Sequence, residues 1–148
     1  MPSIMRNLNI ISRCFSMFRM EKMSDNELNA NHQSYIYAIS LRPGMTQDQL
    51  ARHLCLNKST IARGVAHLES IGYVERRPSE TDKRVFLLFP TQKMLDMLPE
   101  VREISREWNT FITEELSEEE LDVFCSTLKK LANRARLLTG NEEEKKKT

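Results

Sequence analysis

The sequence predicts a mainly α protein with one small β-hairpin, an α+β chain in which helices carry most of the core. Three observations lead there. Apolar residues recur at spacings of three and four along most of the chain, as one face of a helix requires. Only from Tyr73 to Arg77 and from Arg84 to Phe89 does the pattern change to that of paired strands. Glycine and proline number four and five in 148 residues, and 40% apolar with 29% charged residues is the balance of a helical, water-exposed protein.

Taken in order, Ile4, Leu8, Ile11, Phe15 and Phe18 form one apolar line, and Ile10, Cys14 and Met17 form a second beside it. A helix with two such lines is expected to pack on its own subunit and on a partner. Asn31 is expected to cap a short helix that runs to Leu41 and stops at Arg42-Pro43-Gly44. Thr46 with Gln49 has the form of a capping box, with Leu50, Ala51 and Leu54 on one face of the helix that follows. After Cys55 and Leu56, Asn57 caps a helix to about Ile71, and Gly72 suits its end. The polar link PSETDK joins the two strands as an extended hairpin tip. Thr91 then caps a helix with Met94, Met97, Val101, Ile104, Trp108 and Phe111 in rhythm. Ser117 with Glu120 opens another, carrying Leu121, Phe124, Leu128, Leu131, Ala135 and Leu138.

This length accommodates one domain, or a small binding lobe fused to a helical lobe, and leaves no room for a second catalytic domain. No apolar run approaches the ~18 residues of a membrane span. Cys14, Cys55 and Cys125 form no CxxC or Cys/His pattern, so neither a disulfide framework nor a metal site is expected, and a reducing cytoplasm is the expected location. Arg6, Arg13 and Arg19 without an acid before Glu21 admit a transit peptide, but the long apolar stripe there suits a packed helix better.

The net charge of +1 conceals a polarity. Lys and Arg outnumber Asp and Glu by 9 to 5 between residues 42 and 93, whereas acids lead by 13 to 9 from residue 94 onward. A basic middle can face phosphate while the acidic end stays clear of it. On the helix that follows Asn57, Ile61, Val65 and Leu68 fall on one arc and must pack on Leu50 and Leu54. Ser59, Arg63, Ala66 and Ser70 take the opposite face, flanked by Thr60 and His67. Small and hydroxyl side chains let such a helix lie deep in a major groove while Arg63 reaches a base edge. A plain solvated face would carry more Glu and Lys. In the hairpin tip, Asp82 and Arg84 stand two apart, a spacing that on an extended strand points both to one side. Asp82 is then expected to orient the guanidinium by a bidentate pair, ready for a narrow minor groove.

Two short helices and then a β-hairpin is the order of a winged helix-turn-helix. Residues 46–91, TQDQLARHLCLNKSTIARGVAHLESIGYVERRPSETDKRVFLLFPT, resemble the MarR regulators, on Leu50-Ala51, on Asn57 to Arg63, on Leu68 through Gly72 to Val74, and on Asp82 to Arg84. The flanking helices are similar too. One departure is Pro90-Thr91-Gln92-Lys93-Met94, where the family often has L-T-x-x-G.

The resemblance implies a winged helix-turn-helix lobe over residues 31–91 and a helical dimerisation lobe from residues 1–30 and 92–140; the charge run at 141–148, which has no apolar residue, is expected to be a disordered charged tail. It implies a homodimer on a palindromic double-stranded DNA operator, acting as a repressor, with a small aromatic or phenolic effector between the lobes and no cofactor or metal. The DNA-facing candidates are Thr46, Gln47, Lys58, Ser59, Thr60, Arg63, His67, Arg76, Arg77, Asp82, Lys83 and Arg84. The dimer candidates are Ile4, Leu8, Ile11, Leu121, Phe124, Leu128 and Leu131. Cys14, Phe15, Phe18, Tyr35, Tyr37 and Trp108 are candidates to line an effector pocket, although each also sits at core spacing. Some relatives sense oxidants through a cysteine on the first helix. Cys14, beside Ile10 and Met17, reads as inert core. An enzyme is disfavoured because His32, His53 and His67 have no partners at catalytic or metal spacing. A winged helix used only to bind other proteins is the stronger rival, and it would have no use for the Asp82 and Arg84 pair.

Overall fold

Six helices and three short strands follow one another in the computed structural model, which describes residues 3–140. They are α1 (Ile4–Lys22), α2 (His32–Leu41), β1 (Met45–Thr46), α3 (Gln47–Leu54), α4 (Lys58–Ser70), β2 (Val74–Pro78), β3 (Phe86–Pro90), α5 (Gln92–Thr113) and α6 (Glu118–Thr139). The tail expected at 141–148 lies outside the described residues.

Local capping chemistry sets most helix starts. Thr46 and Gln49 form both halves of a capping box on α3, and Ser117 and Glu120 do the same on α6. Asn57 Oδ1 accepts the Thr60 N–H at 2.8 Å, and Thr91 Oγ1 accepts that of Met94 at 3.3 Å. At the end of α4, Gly72 has φ +81°, a left-handed turn that aims the chain into β2. Asn31 is the exception. Its side chain makes no cap bond, and Asn29 Oδ1 instead accepts the N–H groups of Asn31 and His32 at 2.9 and 3.2 Å.

The hairpin is part of a three-stranded antiparallel sheet of order β1-β3-β2. Met45 pairs with Leu88 and Thr46 with Leu87, in a strand too short to carry a sequence period. The two longer strands lie later in the chain than expected, with Val74 opposite Pro90 and Pro78 opposite Phe86. Arg84 therefore sits in the turn, where the Val85 N–H donates to the Asp82 carbonyl at 2.9 Å.

The core is continuous from the helix-turn-helix into the flanking helices. Leu50, Ile61, Val65, Leu68 and Leu88 are fully buried together with Ile36 and Ile39 of α2, and Met94 and Val101 of α5 join them. Met23 and Leu28, from the segment between α1 and α2, belong to the same cluster. That segment also fastens to its neighbours through polar bonds. Ser24 donates to both oxygens of Glu100, and the Tyr73 hydroxyl donates to Asp25 at 2.5 Å.

Of the two apolar lines of α1, the single chain meets one. One side rests on α5, where Phe15 and Phe18 meet Trp108 at ring distances of 5.1 and 5.6 Å. The line of Ile10, Cys14 and Met17 is exposed, Met17 by 73%, so Cys14 is not a core residue of the single chain. α6 likewise buries no side chain. Apolar stripes of this size mark an interface, and among the described residues nothing covers these two.

Candidate nucleic-acid interface

α3, the turn at Cys55 and α4 form the helix-turn-helix. Cys55 takes φ +53° there, which lets the chain reverse within three residues. With Ile61, Val65 and Leu68 held in the core, Ser59, Arg63, Ala66 and Ser70 stand exposed together. Among the described residues Arg63 makes no ion pair. Ser59 Oγ donates to Asn57 Oδ1 at 2.8 Å, which ties it to the cap of its own helix.

The remaining candidates divide by what already holds them. Lys58 pairs with Asp48 at 3.1 Å, an exposed contact worth only ~0 to 1 kcal/mol, so Lys58 can exchange it for phosphate. Thr46 is occupied in its capping box, and Gln47 is the first residue of α3, half-buried. Thr60 is half-buried on the flank of α4. His67 turns toward the α1–α2 segment: its Nε2 donates to the Glu27 carbonyl at 2.8 Å and its ring stacks on His32 at 4.9 Å.

Two cations of the wing are neutralised by acids of the same chain. Arg76 reaches back to Glu69 on α4 at 2.6 Å, and Arg77 pairs with Glu75 at 2.9 Å while lying over the Phe89 ring. No local pattern announces the Arg76 pair, because its partner is on another element. At the tip, Arg84 is 91% exposed and Lys83 makes no ion pair among the described residues. Asp82 does hold Arg84, but not as a strand pair and not through both carboxylate oxygens. Its Oδ1 alone accepts the Arg84 backbone N–H at 3.0 Å and the Nε–H at 3.3 Å, the geometry of an Asx turn.

The effector candidates also separate. Phe15 and Tyr37 line a cleft of about 350 Å³ between α1, α2 and the end of α3, together with Arg19, Leu41, Arg42 and His53. Phe18 and Trp108 are not part of the lining; Trp108 meets both Phe15 and Phe18 in tilted ring contacts. Cys14 is not part of this lining. Tyr35 is not either: it is buried on the other side of α2, under α4, with its hydroxyl donating to the Thr60 carbonyl at 3.4 Å.

His32, only 5% exposed, has its pKa lowered to about 4 by burial and by the neighbouring His67. Its Nδ1 accepts the Asn29 backbone N–H at 3.1 Å, and its Nε2 lies 3.3 Å from the Asn29 side-chain nitrogen. An unfolded histidine titrates near ~6.5, so between that pH and about 4 the unfolded chain binds a proton that the native one refuses. Stability therefore falls as pH drops through this window, with a slope of up to about 1.4 kcal/mol per pH unit from this residue. Urea midpoints measured from pH 6.5 to 5 should decline less steeply in His32→Gln than in the parent.

Residues 28–86 match the model of the MarR family. The HTH-type transcriptional regulator YybA of Bacillus subtilis (strain 168) is 29% identical over 102 residues, covering 69% of this chain and 68% of that protein. The crystal structure of MarR superposes with TM-score 0.83 at 25% identity, over 95% of this chain and 96% of the other. A MarR family regulator from Listeria monocytogenes, complexed with 26mer DNA, shares the fold with TM-score 0.86 at 22% identity, over 98% and 100% of the two chains. This match, these relatives and the winged helix-turn-helix agree: the chain is similar to the regulators of the MarR family, and over residues 28–86 it matches that family's pattern.

Proposed function

We propose that the protein is a sequence-specific DNA-binding transcription regulator of the cytoplasm, a homodimeric repressor on a palindromic operator. The observation that carries this reading is the outer face of α4, free of acids and bearing the unpaired Arg63, beside a wing tip whose Arg84 is pre-oriented and exposed. Such a helix suits a major groove, and such an arginine suits the neighbouring minor groove. The name of the Bacillus relative and the DNA bound by the Listeria protein support it. The open stripes of α1 and α6 supply the self-association surface, with Ile4, Ile11, Phe124 and Leu131 exposed and Leu8, Leu121 and Leu128 half-buried.

Relief of binding is assigned to the cleft beside Phe15 and Tyr37. Its lining is mainly apolar, yet Arg19 Nε is buried without a hydrogen-bond partner among the described residues. That donor suits the acidic oxygen of a small aromatic or phenolic effector.

The test is a salt titration of duplex binding by the parent, Arg84→Ala and Asp82→Ala. In Arg84→Ala affinity should fall and the salt slope should shrink by about one. In Asp82→Ala the cation remains but is no longer held, so affinity should fall by ~0.5 to 1.5 kcal/mol although the protein has become more positive. A gain for Asp82→Ala would mean that the carboxylate only repels phosphate. No change in either folded variant would favour a protein-interaction module instead.

A further inference from the structure

We propose that Tyr35 is a positioning residue for DNA recognition: its buried ring is the seat of the recognition helix α4, and Gly64 is the notch that lets the helix rest there. The inference builds on the DNA-binding reading above.

Gly64 lies in the middle of a thirteen-residue helix, where glycine is the poorest choice after proline. Its backbone does not ask for glycine, since Gly44, Gly72 and Gly140 are the positive-φ glycines. The space around it does. A Cβ at Gly64 would stand 2.7 Å from Tyr35 Cε1 and 2.8 Å from both Cζ and the hydroxyl oxygen. Ordinary contact begins near 3.4 Å, so about 0.7 Å of movement would be needed.

Tyr35 is badly placed to provide that movement. It is 1% exposed, its hydroxyl donates to the Thr60 carbonyl, and the His32 ring stands edge-on to it at 6.1 Å. His32 in turn stacks on His67, which is bonded to the Glu27 carbonyl. Thr60, Gly64 and His67 thus form one stripe of α4, at i, i+4 and i+7, and all three meet this support. At 100° per residue the stripe lies roughly a quarter turn from the face of Ser59, Arg63, Ala66 and Ser70. A push at Gly64 therefore moves α4 sideways and carries Arg63 with it. A recognition contact tolerates only about 0.5 Å of such misplacement.

The experiment uses the full-length protein and the duplex that the parent selects from random DNA. Gly64→Ala should bind that duplex at least roughly tenfold more weakly, and should select a changed half-site preference. Adding Tyr35→Leu removes the end of the ring and makes room for the new methyl group. The double variant should return to within about threefold of the parent and regain its preference. A role in stability alone would lower the folded fraction without changing which bases are preferred, so circular dichroism and light scattering accompany each measurement. Parental affinity and preference in Gly64→Ala would overturn the seat. So would a folded, dimeric double variant that recovers nothing. A parent protein that binds no duplex would overturn the DNA-binding reading and this inference with it.

Discussion

Phe124→Glu is expected to convert the protein to a monomer and to lower operator affinity by a factor of about 10² to 10⁴. Phe124 is 45% exposed on α6, in line with Leu121, Leu128 and Leu131, on a helix that buries no side chain of its own. Two-fold symmetry places the same residue on both sides of an interface, so one substitution introduces two charges. Each would be desolvated among apolar neighbours on association, at a cost far above that of losing one ring contact. A monomer presents a single recognition helix and forfeits the effective concentration that a linked second half-site supplies. Light scattering at micromolar concentration reads the first consequence, and duplex titration reads the second. A Phe124→Glu protein that remains dimeric would remove α6 from the interface.

Arg63→Ala should cost about 1 to 3 kcal/mol at each of two half-sites, with loss of base preference at one position per half-site. Arg63 is the one cation on the outer face of α4, and no acid of the described chain holds it back. The wing differs, because Arg76 and Arg77 must give up Glu69 and Glu75 before they can engage phosphate. On the proposed reading, contact with DNA then rests on a small set of side chains, Arg63, Lys83 and Arg84, joined by Lys58 once it releases Asp48, which fits a protein whose net charge is only +1. Binding to randomised duplexes checks the assignment. Equal weakening on every sequence would make Arg63 a phosphate contact.

Much of the fold was legible because its signals are local. The capping boxes at Thr46 and Ser117, the cap at Asn57 and the turn at Gly72 each depend on residues within a few positions, where the chain itself sets the distances. The buried face of α4 was legible for the same reason, since Ile61, Val65 and Leu68 share an arc once the helix forms. The cap of α2 is not legible in the sequence, because Asn29 and Asn31 are both able to accept and only the backbone path selects Asn29. A two-residue spacing looks the same in a strand and in an Asx turn, so the sequence alone does not place Arg84 in the turn.

By itself the sequence determined the order of the helices and of the two hairpin strands (though not β1), the face that α4 turns inward and the wing-tip contact of Asp82 with Arg84. Only the tertiary structure decided which cations stay unpaired, where the cleft lies, and that Tyr35 sits under Gly64 instead of lining that cleft. The physical reason is separation along the chain. Glu69 and Arg76, His32 and His67, and Tyr35 and Gly64 meet through the packing of different elements, and no spacing in the sequence encodes such a distance.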